Sequence, residues 1–269
     1  DLNSLLNPGD KIALMTPIFT PYLEIPHLPH YNFDVINIHA NEVDNEGNPT
    51  WQYPKEELEK LKDKNIKVVF VVNPNNPASI ALSKECKDNL KTIVENHNPN
   101  LMIITDDVYC TFVDNFSSLI ADIPYNTLAV YSLSKYFGVT GWRLGAIMLN
   151  QDNIFNKLIK ELPKETKERL HERYKHLSLK PENLSFMDRM VADSRQVALN
   201  HTAGLSTPQQ VQMAFFCAFA LMDKEDKYKK LTKDICKNRK RLLFDGLEIE
   251  LKNHPHDAAY YTEINLLDL

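Results

Sequence analysis

Residues 67–79 read KVVFVVNPNNPAS: a lysine, five apolar residues rich in valine, and then an Asn-Pro repeat. An unbroken β-branched run with no polar alternation predicts a strand buried on both faces, as in a parallel sheet covered by helices. The Asn-Pro repeat that follows predicts a turn. Working outward, KIALM (11–15), LMIITDD (101–107) and LAVYSLS (128–134) have the same character, and LGAIML (144–149) follows closely as a fifth run. Between two of them, SKECKDNLKTIVENH (83–97) has helical spacing and opens sensibly, with Ser83 as N-cap and Cys86 where a Glu would complete a capping box. Strands alternating with helices predict an α/β domain built on a mostly parallel sheet.

Length and composition narrow the class. A chain of 269 residues with 43% hydrophobic content can bury one large core or two smaller ones. A net charge of -5 gives no general attraction for nucleic acid or anionic membranes. No run approaches the ~18 apolar residues of a membrane span, and DLNSLLNPGD is not a signal peptide. The four cysteines stand apart with no C-x-x-C pair, the usage of a reduced, cytoplasmic protein. Only seven glycines occur, with no G-x-G-x-x-G and no P-loop pattern, so neither a typical dinucleotide fold nor a P-loop ATPase is supported. His254 and His256 lie in a Pro-broken polar stretch, and His171 and His176 are five apart, so no metal site is expected.

After residue 150 the character changes. Residues 152–196 are highly charged and helical in pattern, broken at Pro163 and Pro181, and read as a solvated or oligomer-facing insertion. TPQQVQMAFFCAFALMD (207–223) reads as a long buried helix with Pro208 in its first turn. KYKKLTKDICKNRKRLLFDGL (227–247) reads as an amphipathic helix with a basic, solvated face, and residues 254–269 as a loop and a strand. The expected organisation is therefore a large domain over 1–150, a helical insertion over 151–200, a return to the large domain over 201–235, and the beginning of a small domain over 236–269.

Three constellations each follow a strand, at the sheet edge where α/β proteins bind ligands. In YSLSKYFGVTGWRLG (131–145), Ser132 and Ser134 flank the approach to Lys135, and Arg143 follows after Gly138 and Gly141, whose lack of a side chain lets backbone approach closely. Two hydroxyls and a guanidinium suit a phosphate monoester, and the neighbouring lysine is then a candidate amine for covalent attachment of an aldehyde. An exposed helix-start lysine is the bland alternative. In IITDDVY, Asp106 could pair with a protonated heteroaromatic nitrogen, and Tyr109 is near enough in sequence to line the same pocket, although adjacent aspartates also cap helices. In NPNNPAS, an Asn amide could donate to a phenolate oxygen, or the stretch is simply a turn.

Together these residues resemble the fold-type I pyridoxal-phosphate enzymes of the aspartate aminotransferase family. The family pattern N-P-x-N-P-[TS]-G is met by NPNNPAS, D-x-x-Y by Asp106 to Tyr109, and S-x-S-K-x-x-x-x-x-G-x-R-x-G by SLSKYFGVTGWRLG, in the family's order and with spacings of about 30 residues. The resemblance implies that Lys135 holds pyridoxal 5'-phosphate and moves protons, that Asp106 pairs with the ring nitrogen, and that Tyr109 and Asn76 bond the phenolic oxygen. Ser132, Ser134 and Arg143 would bind the phosphate, and Phe19 in TPIFTPY would stack on the ring. Ala78 and Ser79 depart from the usual Thr-Gly. The family's upstream phosphate loop and its C-terminal carboxylate-binding arginine have no counterpart here, so the chain resembles the central part of a longer protein.

Within the family, ALMTPIFTPYLEIP, the long charged segment after Arg143 and the stretch DSRQVALNHTAGLSTPQQVQMAFFCAFALMD are similar to the L-aspartate 4-decarboxylase branch. That resemblance implies β-decarboxylation of aspartate to alanine and carbon dioxide, with secondary transamination using keto acids. A plain aspartate or aromatic aminotransferase and a non-catalytic fragment are the alternatives. Arg195, five residues before Asn200, falls where dicarboxylate-specific members place a side-chain-binding arginine across a dimer interface; a structural salt bridge is the competing reading. The resemblance further implies a homodimer or larger homo-oligomer.

Overall fold

The computed structural model describes residues 2–29, 31–196, 205–252 and 254–268, the side chains at 3, 195, 196 and 268 excepted. Six strands form one sheet: β1 (Lys11–Thr16), β2 (Asp34–His39), β3 (Ile66–Val72), β4 (Met102–Asp106), β5 (Thr127–Ser132) and β6 (Gly145–Leu149). Their order is β2-β1-β3-β4-β5-β6, and every neighbouring pair is parallel except β5 with β6. The helices are α1 (Thr20–Glu24), α2 (Lys55–Leu58), α3 (Lys84–Asn96), α4 (Leu119–Asp122), α5 (Leu133–Tyr136), α6 (Ile154–Glu161), α7 (Lys164–Tyr174), α8 (Phe186–Gln196), α9 (Thr207–Met222) and α10 (Lys227–Leu247).

The four apolar runs become the central strands because both sheet faces are covered. Ala13, Met15, Val69, Val71 and Ile103 point into one core with Cys86, Leu90, Ile93 and Val94 of α3. Their alternating partners Ile12, Leu14, Val68, Met102 and Ile104 enter a second core with Ile154, Phe155 and Ile159 of α6 and Phe186 of α8. Ser83 caps α3 as its sequence predicts, accepting from the Cys86 amide at 3.1 Å.

Five readings need correction. LGAIML is a strand, but β6 runs antiparallel at the sheet edge and is largely exposed. The 12 residues between β5 and β6 are at the lower limit for a parallel crossover and form only the one-turn helix α5 and a 3-10 turn, too little to span the sheet face, so the chain returns antiparallel. Strand β2 escapes notice in the sequence because DVINIH is an edge strand with mostly half-open side chains. Residues 152–196 do break at Pro163 and Pro181, but they are more than a solvated insertion: Ile154 and Phe155 are fully buried against the sheet. Helix α9 forms, with Pro208 in its first turn and a capping box between Ser206 and Gln209, but none of its residues is buried. Finally, the described residues after 253 contain no named strand, only a single bridge from Asp257 to Ile80 and a short 3-10 turn at Leu266–Asp268. Helix α10 forms over Lys227–Leu247, the range the sequence predicts.

Candidate active site

Parallel pairing brings the chemistry together. Val72, Asp106 and Val130 are register partners on β3, β4 and β5, so the loop after each strand opens on the same edge. The Asn73 amide donates to the Asp106 carbonyl at 2.9 Å, and the Asp107 amide to the Val130 carbonyl at 2.8 Å. Asn76, Asp106, Tyr109 and Lys135 thus share one end of the sheet. A surface depression lined by Lys67, Asn98, Pro99, Met102 and Pro163 lies at the opposite end, where the strands begin, and takes no part in this arrangement.

The three asparagines of NPNNP have separate jobs. Asn73 Oδ1 accepts from the Leu82 amide at 2.9 Å, and Asn75 Oδ1 from the Ile80 amide at 3.1 Å, so both are spent on closing the turn. Asn76 is half-buried, and its side chain makes no hydrogen bond among the described residues. The Asn73 and Asn75 amide nitrogens are buried and have no hydrogen-bond partner among the described residues, so Asn76 differs from them in being only half-buried and in an oxygen that the turn does not use.

The two aspartates divide in the same way. Asp107 is buried and accepts from Thr105 Oγ1 at 2.7 Å and from Ser118 Oγ, which ties β4 to the start of α4. Burial pushes its carboxyl up to about 6, against the hydrogen bonds from Ser118 and Thr105. Asp106 faces the site. It accepts from Tyr22 Oη at 3.0 Å and from the Val108 amide at 3.2 Å, and no ion pair among the described residues includes it. Burial raises its pKa while those two hydrogen bonds lower it. A desolvated carboxylate with no cationic partner suits a ligand that brings the cation.

Tyr22 was not singled out by the sequence, although it lies in the TPIFTPY stretch. It follows Phe19 by three residues, in the middle of α1, and burial together with Asp106 raises its phenol well above the ordinary range, which keeps it a donor. Phe19 itself is exposed and stands edge-on to Tyr22 at 6.3 Å. No local signal marks Tyr22, since Phe19 is the extended residue before α1 and does not share the helix with it.

Lys135 lies in the short helix α5, directly after β5. Ser132 Oγ accepts from the Ser134 amide at 3.2 Å and donates to Ser134 Oγ at 2.8 Å, so the two hydroxyls form one polar cluster. Arg143 is exposed, has a left-handed backbone (φ 56°), and donates to the Thr140 carbonyl at 3.0 Å. The loop returns it to the same region, because the Leu133 amide bonds the Leu144 carbonyl at 3.1 Å, but no contact joins the guanidinium to the serines. The close backbone approach expected at Gly138 and Gly141 falls instead at Gly145, where a Cβ would stand 2.9 Å from the Tyr131 carbonyl; Gly138 serves a left-handed turn at φ 66°.

Tyr109 is buried against Tyr260 and Tyr261, with ring centroids 5.0 and 5.5 Å away. Burial first, then the Tyr261 hydroxyl, raises its phenol. Lys135 Nζ sits 5.9 Å from the centroid of the Tyr260 ring. Neither Tyr260 nor Tyr261 was anticipated, since nothing in a polar, Pro-broken tail signals that it folds back on the site. The Arg195 side chain and Asn200 lie outside the described residues.

No group of three or more His, Cys, Asp or Glu among the described residues could hold a metal ion. No helix among them is long and apolar enough to cross a membrane.

Comparison with known proteins bears on the family and the fold. The family model for aminotransferase class I and II matches residues 2–266. The chain is 49% identical over 265 residues to a Pseudomonas sp protein named bifunctional aspartate aminotransferase and L-aspartate beta-decarboxylase, a match covering 98% of this chain and 49% of that protein. It is 32% identical over 164 residues to an aspartate aminotransferase of Pyrococcus horikoshii, covering 60% of this chain and 38% of the relative. Among solved structures, an alanine aminotransferase from Pyrococcus furiosus superposes with a TM-score of 0.64 at 22% identity, over 96% of this chain and 55% of that one. An aspartate aminotransferase of Thermus thermophilus gives 0.63 at 20% identity, over 92% and 53%. The fold is therefore that of the fold-type I aminotransferases, and the chain spans about half the length of the relatives it matches. With the sheet edge, the strand order and the sequence in agreement, the chain belongs to the aminotransferase class I and II family, whose members are pyridoxal-phosphate enzymes.

Proposed function

We propose that the full-length protein converts L-aspartate to L-alanine and carbon dioxide with pyridoxal 5'-phosphate, and transaminates aspartate with a keto acid as its second activity. The observation that carries this reading is 49% identity, across nearly the whole chain, to a relative named for both activities. The residues at the sheet edge suit the cofactor: an unpaired, desolvated Asp106, an unbonded Asn76 amide, paired serine hydroxyls and an amine one residue beyond them. When bound, pyridoxal phosphate supplies an aldehyde for the amine and a ring that accepts an electron pair.

The remaining chemistry belongs to the chain. Lys135 holds the aldehyde and, once substrate displaces it, moves the proton at the substrate α-carbon. Asp106 keeps a proton at the ring nitrogen, and Tyr22 holds the carboxylate in place for that task. Tyr109 and Asn76 meet the phenolic oxygen, Ser132, Ser134 and Arg143 the phosphate, and Phe19 the ring face. Arg195 receives the substrate's side-chain carboxylate across a homodimer interface, in an assembly of two or more copies. Exposed Phe215, Phe219, Leu221 and Met222 on α9 supply apolar surface that association would cover. In this reading residues 1–150 and 201–235 bind the cofactor, 151–200 form an inserted helical segment, and 236–269 open a small domain.

A plain aminotransferase is the second reading, favoured by the relatives named aspartate aminotransferase at 32% identity or less. The two outcomes compete at one branch point, where a barrier difference of about 1.4 kcal/mol shifts the ratio tenfold. The test is to give the full-length protein L-aspartate and pyridoxal phosphate without keto acid. Sustained, equal release of alanine and carbon dioxide supports the decarboxylase. One turnover at most, restored by 2-oxoglutarate, makes the protein an aminotransferase. For Arg195, Arg195→Ala is expected to raise the aspartate KM, and an unchanged KM removes it from the site.

A further inference from the structure

Ser79 has a conformation that a serine adopts at a cost. It is fully buried, and its φ of 67° lies in the left-handed region that glycine occupies without strain. Relative to glycine, the side chain adds a Cβ, the source of that strain, and a hydroxyl that is used twice. Ser79 Oγ accepts from the backbone amides of Tyr260 and Tyr261, each at 3.1 Å.

The rest of the contact is main chain and one ion pair. The Ala258 amide donates to the Ser79 carbonyl at 2.8 Å, the Ala81 amide to the His256 carbonyl at 2.9 Å, and Ile80 bridges Asp257 in antiparallel fashion. Lys240 of α10 holds Asp257 at 2.5 Å, with both side chains nearly buried. This lays residues 256–261 alongside residues 79–81, three positions after Asn76. It also aims the Tyr260 ring, which packs on Tyr109 and Phe112 at 5.0 Å and faces the Lys135 ammonium at 5.9 Å.

We propose that Ser79 is a positioning residue: its hydroxyl seats the Tyr260–Tyr261 segment so that the Tyr260 ring covers Lys135, and this pair sets how readily the lysine amine is reached and how well a positive charge on it is held. The ring face is the negative end of an aromatic quadrupole, so it favours a cation at Lys135 and shields it from reagents on that side. The proposal rests on the reading of Lys135 as the cofactor-holding amine, but its first measurement does not.

The variants are Ser79→Ala, Ser79→Gly and Tyr260→Leu in the full-length protein. Ser79→Gly removes the hydroxyl together with the left-handed strain, so it keeps the test open if Ser79→Ala folds poorly. With cofactor removed, acetylation of Lys135 by limiting acetic anhydride, read by mass spectrometry, is expected to speed up about two- to five-fold in all three. The Ser79→Gly/Tyr260→Leu double variant should go no further than either single change, because both break one link. Amide exchange at Tyr260 and Tyr261 should rise in the Ser79 variants. With pyridoxal phosphate bound, the pH midpoint of its visible absorbance should fall by about half a unit, a change that loosened packing alone would not produce. Unchanged Lys135 labelling in both Ser79 variants, or additive effects in the double variant, overturns the proposal. A wild-type protein that never shows bound-cofactor absorbance overturns the cofactor reading instead, and the labelling result still decides the Ser79 link.

Discussion

Strand β3 and helix α9 are both strongly apolar, yet one is buried and the other is open. In β3 only Lys67 is exposed, while in α9 Phe215 and Leu221 show 66% and 80% of their surface. The difference lies in what each element packs against. β3 has a strand on either side and helices α3 and α6 across its two faces. Helix α9 touches the body through Phe216 stacked on Phe137 at 4.8 Å and Gln209 bonded to the Trp142 carbonyl at 3.0 Å. Apolar composition states that a face can be covered; it does not state by what.

The largest expected effect lies where β5 ends. If the proposed function holds, Lys135→Ala in the full-length protein should lower alanine release by about 10²-fold or more, since in that reading it removes the group that moves the proton. A loss under tenfold would break the assignment of that edge as the reacting one. Truncation then sharpens the contrast in packing. Leu90→Ala in α3, at a site 1% exposed, should cost about 2–5 kcal/mol, whereas Leu221→Ala should stay within about 0.5 kcal/mol in the monomer, both by denaturant midpoint. A large loss at Leu221 that depends on protein concentration would show that α9 is covered by another copy.

The adjacent aspartates give a smaller, pH-dependent test. Because the folded state raises the Asp107 carboxyl from 3.8 to about 6, its contribution is fully present below about pH 4 and is lost as pH rises through 6. Wild type should therefore lose up to about 3 kcal/mol relative to Asp107→Asn between pH 4 and pH 7, measured by urea midpoints. Parallel curves for the two proteins would mean that Asp107 is not held as described. A further test belongs to α9 itself. Ser206→Ala breaks its capping box and should lower stability by about 1 kcal/mol, an effect measurable although the helix is exposed.

Most of the sheet edge was legible because its signals are local. Each of Asn76, Asp106 and Lys135 stands a few residues beyond a valine- or isoleucine-rich run, and parallel pairing carries all three to one end. Tyr22 and Tyr260 were not legible, since neither carries a local pattern. Tyr22 reaches Asp106 across 84 positions, and Tyr260 is held by Ser79 across 181. The strand direction of β6 escaped for a related reason: hydrophobic runs encode burial, while direction depends on how the connecting loop closes.

By itself the sequence determined the α/β class, the central strands, the capped helix α3 and the residues that gather at one end of the sheet, because side-chain periodicity and turn chemistry act within a few residues. Tertiary structure alone decided that α6 belongs to the core, that α9 stands open, that the Asn73 and Asn75 oxygens close the turn while the Asn76 side chain does not, and that the tail folds back to place Tyr260 over Lys135. Those outcomes depend on contacts between distant segments, where shape and hydrogen-bond satisfaction choose among partners that a linear pattern leaves equal.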